Sequence, residues 1–60
     1  MIGNVYRNKR SNKRCVVVEV ANEHAKDHEL QPILIVYVDD DRKTWAVTRD
    51  EFYINFVLAF

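Results

Sequence analysis

Apolar stretches alternate with polar turns along this chain and predict four strands, at residues 3–7, 14–21, 33–39 and 43–48. The third is the most apolar, and its six successive apolar residues predict a central strand covered on both faces. Pro32 stands at its start, where no ladder donor is needed, and three aspartates end it as charged gatekeepers against aggregation. The pattern therefore predicts a β-rich fold.

The second predicted strand is rich in valine, whose branched side chain favours an extended backbone. Because Glu19 is expected to face water, alternation with a period of two predicts that the core face carries Val16, Val18 and Val20. In the fourth predicted strand, the same alternation places Trp45 and Val47 on one face.

Three connections join these strands. Residues 8–13 contain Asn8, Ser11 and Asn12, which are good turn residues where glycine is lacking. Residues 40–42 predict a tight hairpin turn. The longer link, residues 22–31, is either a frayed helical turn or an open loop, and we expect it to be solvated.

The C-terminal segment carries a helix signal. Thr48 and Glu51 fit a capping box, in which the Thr48 hydroxyl accepts from the Glu51 amide. Phe52 and Phe56 then share one helical face, which predicts a short helix, and an extended segment over residues 53–60 is the alternative. The apolar tail is buried either in the protein's own core or in a self-association or partner surface formed by Ile54, Phe56, Val57, Leu58 and Phe60.

Length and composition narrow the class. Sixty residues allow one domain, residues 1–60, and 48% hydrophobic with 30% charged residues is typical of a globular fold. One cysteine cannot form an internal disulfide, and the longest apolar run is too short to span a membrane. We therefore predict a soluble, cytoplasmic, all-β (β-rich) domain: a small barrel of four to five antiparallel strands with a short C-terminal helical turn.

Charge is segregated although the formal sum is zero. Residues 1–14 hold five cations and no acid, whereas residues 15–60 sum to −5. The molecule should carry an electrical dipole with a basic pole formed early in the chain. This distribution excludes a uniformly acidic nucleic-acid mimic and a uniformly basic packaging protein.

Five short motifs follow one another along nearly the whole chain: G-N-V-Y-R-N-K-R at 3–10, V-V-V-E-V-A at 16–21, I-V-Y at 35–37, W-A-V at 45–47 and D-E-F at 50–52. They resemble a family of small phage and bacterial proteins of unknown function, with the pattern G-x-x-Y-R-H-x-K/R, Y-x-V-x-x-x-A, V-V-Y, D-G-x-x-W-V-R-P and E-F. The resemblance implies an SH3-like β-barrel and a phage or prophage setting, with no known activity. This chain departs from the pattern at Asn8 for His, Cys15 for Tyr, Arg42-Lys43 for the turn glycine and Val47-Thr48 for Arg-Pro.

The strongest chemical feature is the segment 7–14, here called the basic turn, in which five of eight residues are Lys or Arg. Such a turn neutralises about three or four phosphates, with Asn and Ser donating to phosphate oxygens and neighbouring Tyr6 stacking on a base. An acidic protein surface is the alternative partner, and a solvated charged loop is the third interpretation. Either partner requires the basic turn to stay free of the aspartates.

For the other side chains that could carry chemistry or bind a partner, the sequence favours structural roles. His24 and His28 have the spacing of two zinc ligands on a helix, but a solvated loop is the preferred interpretation. The three successive aspartates lack the spacing and glycine of a calcium loop and predict a turn. Cys15 is expected as a small core or edge residue. Trp45 is expected in the core, with a contact surface beside the basic turn as the alternative.

No nucleophile–base pair, phosphate loop or metal set is visible in the sequence, so we expect no enzyme, no metal and no cofactor. We predict a non-enzymatic binding module, phage-encoded by its resemblance, that attaches to a host or phage protein. The alternative is a nucleic-acid-binding protein that uses the basic turn. The residues expected to contact either partner are Tyr6, Arg7, Lys9, Arg10, Lys13, Arg14 and Trp45.

Overall fold

A computed structural model describes residues 1–59 and contains five strands and one helix. The elements are β1 (Val5–Asn8), β2 (Arg14–Ala21), β3 (Leu34–Asp39), β4 (Thr44–Thr48), α1 (Arg49–Asn55) and β5 (Phe56–Leu58). Every pairing is antiparallel, in the order β4-β3-β2-β1-β5. The β-rich prediction is confirmed, and β2 has the predicted bounds. Closure into a barrel stays a prediction, because β4 and β5 are the two edges of this ladder.

The C-terminal segment is first helix and then strand, so each of the two alternatives holds for part of it. The Thr48 hydroxyl accepts from the Glu51 amide at 3.3 Å, as the capping box predicts. The helix ends after Asn55, and the extended residue Phe56 still donates its amide to the Phe52 carbonyl. Helix α1 thus carries the chain from the end of β4 to β5 beside β1. Phe60 lies outside the described residues.

The core lies between one face of the sheet and α1. Phe52 is fully buried, its ring is stacked on Phe56 with centroids 4.5 Å apart, and it meets Tyr6 edge-on at 5.0 Å. Val17 and Ile35 are also fully buried. Burial of one large apolar side chain contributes about 1.5–3 kcal/mol, so this cluster is a main source of stability in a small fold with no internal disulfide.

The side-chain alternation of β2 changes phase within the strand, and the prediction that Val16 and Val18 face the core is wrong. Val17 is fully buried, whereas Val16 and Val18 are 39% and 43% exposed. The pairing with β3 shifts between Val17 and Glu19, so Val18 is the extra residue of a β-bulge. Beyond the bulge the predicted phase returns: Glu19 is exposed and Val20 packs against the core.

The prediction of a third strand covered on both faces is also wrong. β3 is next to an edge, and Ile35 is its one fully buried residue. Its face away from α1 carries Leu34, Val36 and Val38, which are half-buried. Within residues 1–59 no helix covers this outer face.

Antiparallel order brings the basic turn and the turn over residues 39–43, here called the acidic turn, to one end of the sheet, the turn end. The open loop over 22–33 and the start of α1 lie at the opposite end, the loop end. The turn end holds seven cations against three aspartates, a net charge of +4, and the loop end holds two cations against five carboxylates, a net charge of −3. The fold therefore keeps the charges apart.

Candidate functional site

The basic turn is organised by its own polar side chains. The Asn8 Oδ1 accepts from the amides of Arg10 and Ser11 at 2.8 and 3.0 Å. Asn12 takes a left-handed backbone, with φ of 65°, and its Oδ1 accepts from the Arg7 guanidinium at 2.8 Å. The side-chain oxygens of Asn8, Ser11 and Asn12 thus order the turn, and donation from Asn and Ser to phosphate stays a prediction.

The acidic turn is built around Asp39, the last residue of β3. One carboxylate oxygen accepts from the amides of Asp41 and Lys43 at 2.9 and 3.0 Å. The other accepts from the indole Nε1 of Trp45 at 2.7 Å. These bonds, the indole bond foremost, hold the pKa of Asp39 below its ordinary value.

Trp45 lies on the edge strand β4 and is 49% exposed, so the expectation that it lies in the core is wrong and the contact-surface alternative fits. Its cross-strand partner is Tyr37, which faces α1. The bond to Asp39 fixes the indole orientation while leaving much of the ring accessible. This is the geometry of an aromatic anchor on a binding surface.

A cleft of about 120 Å³ connects the two turns on the helix side of the sheet. Its walls include Lys13, Arg14, Tyr37, Asp39, Trp45 and Phe56. Burial raises the pKa of the Tyr37 hydroxyl, which keeps this wall neutral. The cleft therefore combines aromatic surface with charges of both signs.

One cation of the basic turn contacts the acidic turn. The Lys13 ammonium lies 3.7 Å from an Asp41 carboxylate oxygen, with both side chains well exposed, so the pair contributes little stability. Lys9, Arg10 and Arg14 are exposed and form no ion pair with any residue among 1–59. Most of the basic turn thus stays available to a partner.

Several predicted contact residues lie elsewhere. The Tyr6 ring is only 8% exposed against Phe52, so it is not placed to stack on a base. Phe56, predicted for self-association, is equally buried, and Val57 is half-buried opposite Arg7. The accessible part of the predicted tail is Ile54 and Leu58, which are 68% and 52% exposed. Phe60 lies outside residues 1–59.

The surroundings of the potentially reactive side chains, one thiol, three aspartates and two histidines, favour structural roles. Cys15 is buried, which raises the pKa of its thiol and keeps it protonated. The carboxylates of Asp39, Asp40 and Asp41 approach within 4.8 Å of one another, yet both Asp39 oxygens already accept hydrogen bonds. His24 and His28 are exposed and join no group of three potential ligands within the described chain.

A second hollow, of about 230 Å³, lies at the loop end between His28 and Asp50. It is larger than the cleft, but none of the residues predicted to bind a partner lines it. We therefore place the candidate site in the cleft, where two independent sequence signals, the basic turn and Trp45, meet.

Sequence reasoning missed Asp39 and Tyr37 as parts of this site. A signal was present, because Asp39 and Trp45 flank a tight hairpin and fall on the same sheet face. The convergence of the two turns also follows from antiparallel order alone.

No known protein family, curated protein or solved structure matches this chain. Within residues 1–59, α1 is too short and too polar to cross a membrane.

Proposed function

We propose that this protein is a non-enzymatic binding module whose turn end attaches to another protein. The observation that carries the proposal is Trp45, a half-exposed indole held by Asp39 in the cleft that the exposed Arg14 also lines. Tryptophan and arginine dominate the binding energy of protein interfaces, and an oriented ring loses little entropy on contact. The inert, buried Cys15 supports a role without covalent chemistry.

The sequence resemblance extends the proposal to its setting. A phage-encoded module of SH3-like type would act in the cytoplasm of the host and modulate a host or phage protein. The net charge of +4 at the turn end favours a partner with an acidic surface.

Capture from a bacterial lysate tests the proposal. Immobilised protein is compared with Trp45→Ala and with Tyr53→Ala, a control because Tyr53 is 53% exposed on α1. We expect Trp45→Ala to lower retention of a specific protein by at least about tenfold and Tyr53→Ala to leave it unchanged. Trp45 is the chain's single tryptophan, so its fluorescence reports binding of the purified partner directly. Equal retention by both variants would contradict the proposal.

A nucleic-acid-binding protein is the second candidate, favoured by the exposure of Lys9, Arg10 and Arg14. Three phosphate contacts predict that affinity falls by about 40-fold between about 50 and 200 mM salt. Anisotropy of labelled DNA and RNA measures this change, with Arg10→Glu against Lys26→Glu as a matched pair at opposite ends. Absence of binding at about 50 mM salt removes this candidate.

A further inference from the structure

β4 is an edge strand whose outer side pairs with no strand among residues 1–59. Its five residues, Thr44–Thr48, include no charge, proline or glycine, and its register with β3 has no bulge. Natural proteins protect exposed edges with such features because an open edge pairs readily with another chain. β4 is therefore an unprotected edge.

The ladder shows which backbone groups point outward. The amide of Asp39 donates to the carbonyl of Lys43, and the amide of Arg49 donates to the carbonyl of Ile33, each at 2.9 Å. Hydrogen-bonded and non-bonded pairs alternate in an antiparallel ladder, so Trp45 bonds towards β3 as well. The outward amides consequently belong to Thr44, Ala46 and Thr48.

The side chains beside this edge define what fits against it. Trp45 and Val47 offer apolar surface on the helix side of the sheet. Lys43 and Arg49 are exposed cations at the two ends of β4, roughly 20 Å apart along an extended chain. An added strand meets an apolar centre and, directly opposite its two terminal residues, the cations Lys43 and Arg49.

A second copy of this chain is a poor occupant. Antiparallel pairing of two β4 strands centred on Ala46 places Lys43 of one copy opposite Arg49 of the other, twice. Directly opposed like charges destabilise a strand pair. Carboxylates at the same positions would instead be attracted.

We infer that the partner binds by adding an extended segment antiparallel to β4, with apolar residues against Trp45 and Val47 and an acidic residue at each end. This inference rests on the proposed function and specifies the mode of binding, strand addition to a sheet edge. The cleft at the turn end then lies beside the added strand, since Trp45 belongs to both.

The test uses a blocked seven-residue peptide of alternating Val and Thr with Asp at both ends. Its Val side chains lie on the side of Trp45, so its Thr amides point towards β4 and its Val amides point away. We expect NMR titration to shift the amides of Thr44, Ala46 and Thr48. N-methylation of the Thr amides should abolish binding, and N-methylation of the Val amides should change the dissociation constant by less than about threefold.

Charge exchange provides the matched control. Lys in place of both terminal Asp residues should weaken binding by at least about tenfold, and the double variant Lys43→Glu, Arg49→Glu should reverse that preference. Equal binding of the two N-methylated peptides, shifts confined to residues 7–14, or a dimer with exchange-protected β4 amides would each overturn the inference. If the captured partner depends on Trp45 but leaves the β4 amides unshifted, strand addition fails while the proposed function stands. If Trp45→Ala leaves capture unchanged, the proposed function fails. The peptide titration still shows whether an extended segment pairs with β4.

Discussion

The two turns at the turn end are each held by the side chain of their first residue, an amide in one turn and a carboxylate in the other. Each begins with a residue whose side-chain oxygen accepts from two amides of its own turn, Asn8 in the basic turn and Asp39 in the acidic turn. Each also contains a non-glycine residue with a left-handed backbone, Asn12 with φ of 65° and Arg42 with φ of 64°. The turns differ in what their first residue does beyond the turn.

Asn8 serves the basic turn alone, whereas Asp39 also accepts from the indole of Trp45. The acidic turn therefore orients Trp45 in the candidate site. The basic turn supplies cations to the site but makes no hydrogen bond to Trp45. The comparison teaches that a negative residue in a positive region is a structural support of the site. Its carboxylate orients the ring that we propose meets the partner.

Truncation of the first residue of each turn, Asn8 or Asp39, should give the largest difference between the two turns. Asn8→Ala removes two hydrogen bonds, and we expect a loss of about 1 kcal/mol in the free energy of unfolding. Asp39→Ala removes three and should cost more, with altered Trp45 emission in the folded protein. Urea unfolding measures both, and Asp40→Ala is the control because its carboxylate is exposed. A smaller loss for Asp39→Ala than for Asn8→Ala would break the comparison.

Acid should affect the acidic turn and spare the basic turn. The pKa of Asp39 is lowered in the folded state, so its stabilising contribution is present above the ordinary carboxyl pKa and is lost as pH falls through the folded pKa. We expect Trp45 emission to change on acidification below about pH 4, before global unfolding. Asp39→Asn should remove this change, since an amide does not titrate. An unchanged acid transition in that variant would show that other carboxylates control it.

Substitution of the two residues with a left-handed backbone, Asn12 and Arg42, should change stability the least. Arginine at positive φ is strained, and Arg42→Gly should stabilise the fold by about 1 kcal/mol. Asn12→Gly should change stability by less than about 0.5 kcal/mol, because asparagine tolerates this conformation and the bond from Arg7 is lost. Thermal unfolding of the two variants decides the matter. Equal stabilisation would mean that Asn12 is as strained as Arg42.

The elements of this fold could be predicted from the sequence because apolar alternation and turn residues are local signals. The phase of β2 could not, because the bulge at Val18 depends on pairing with β3 and leaves no mark in a run of valines. The exposure of Trp45 is likewise set by its place on an edge strand, which composition does not reveal. The basic turn was predictable as a charge cluster. The internal use of Asn8 and Asn12 emerged only from turn geometry.

The opposed net charges of the two sheet ends have a practical consequence. β2 alone spans roughly 25 Å, well beyond the Debye length of about 8 Å at physiological ionic strength, so each end acts on its surroundings almost independently. Although its formal charge is zero, the chain should therefore adsorb to both kinds of ion-exchange resin near neutrality. The positive turn end would bind a cation exchanger, and the negative loop end would bind an anion exchanger. Its behaviour in purification would be that of a bipolar particle.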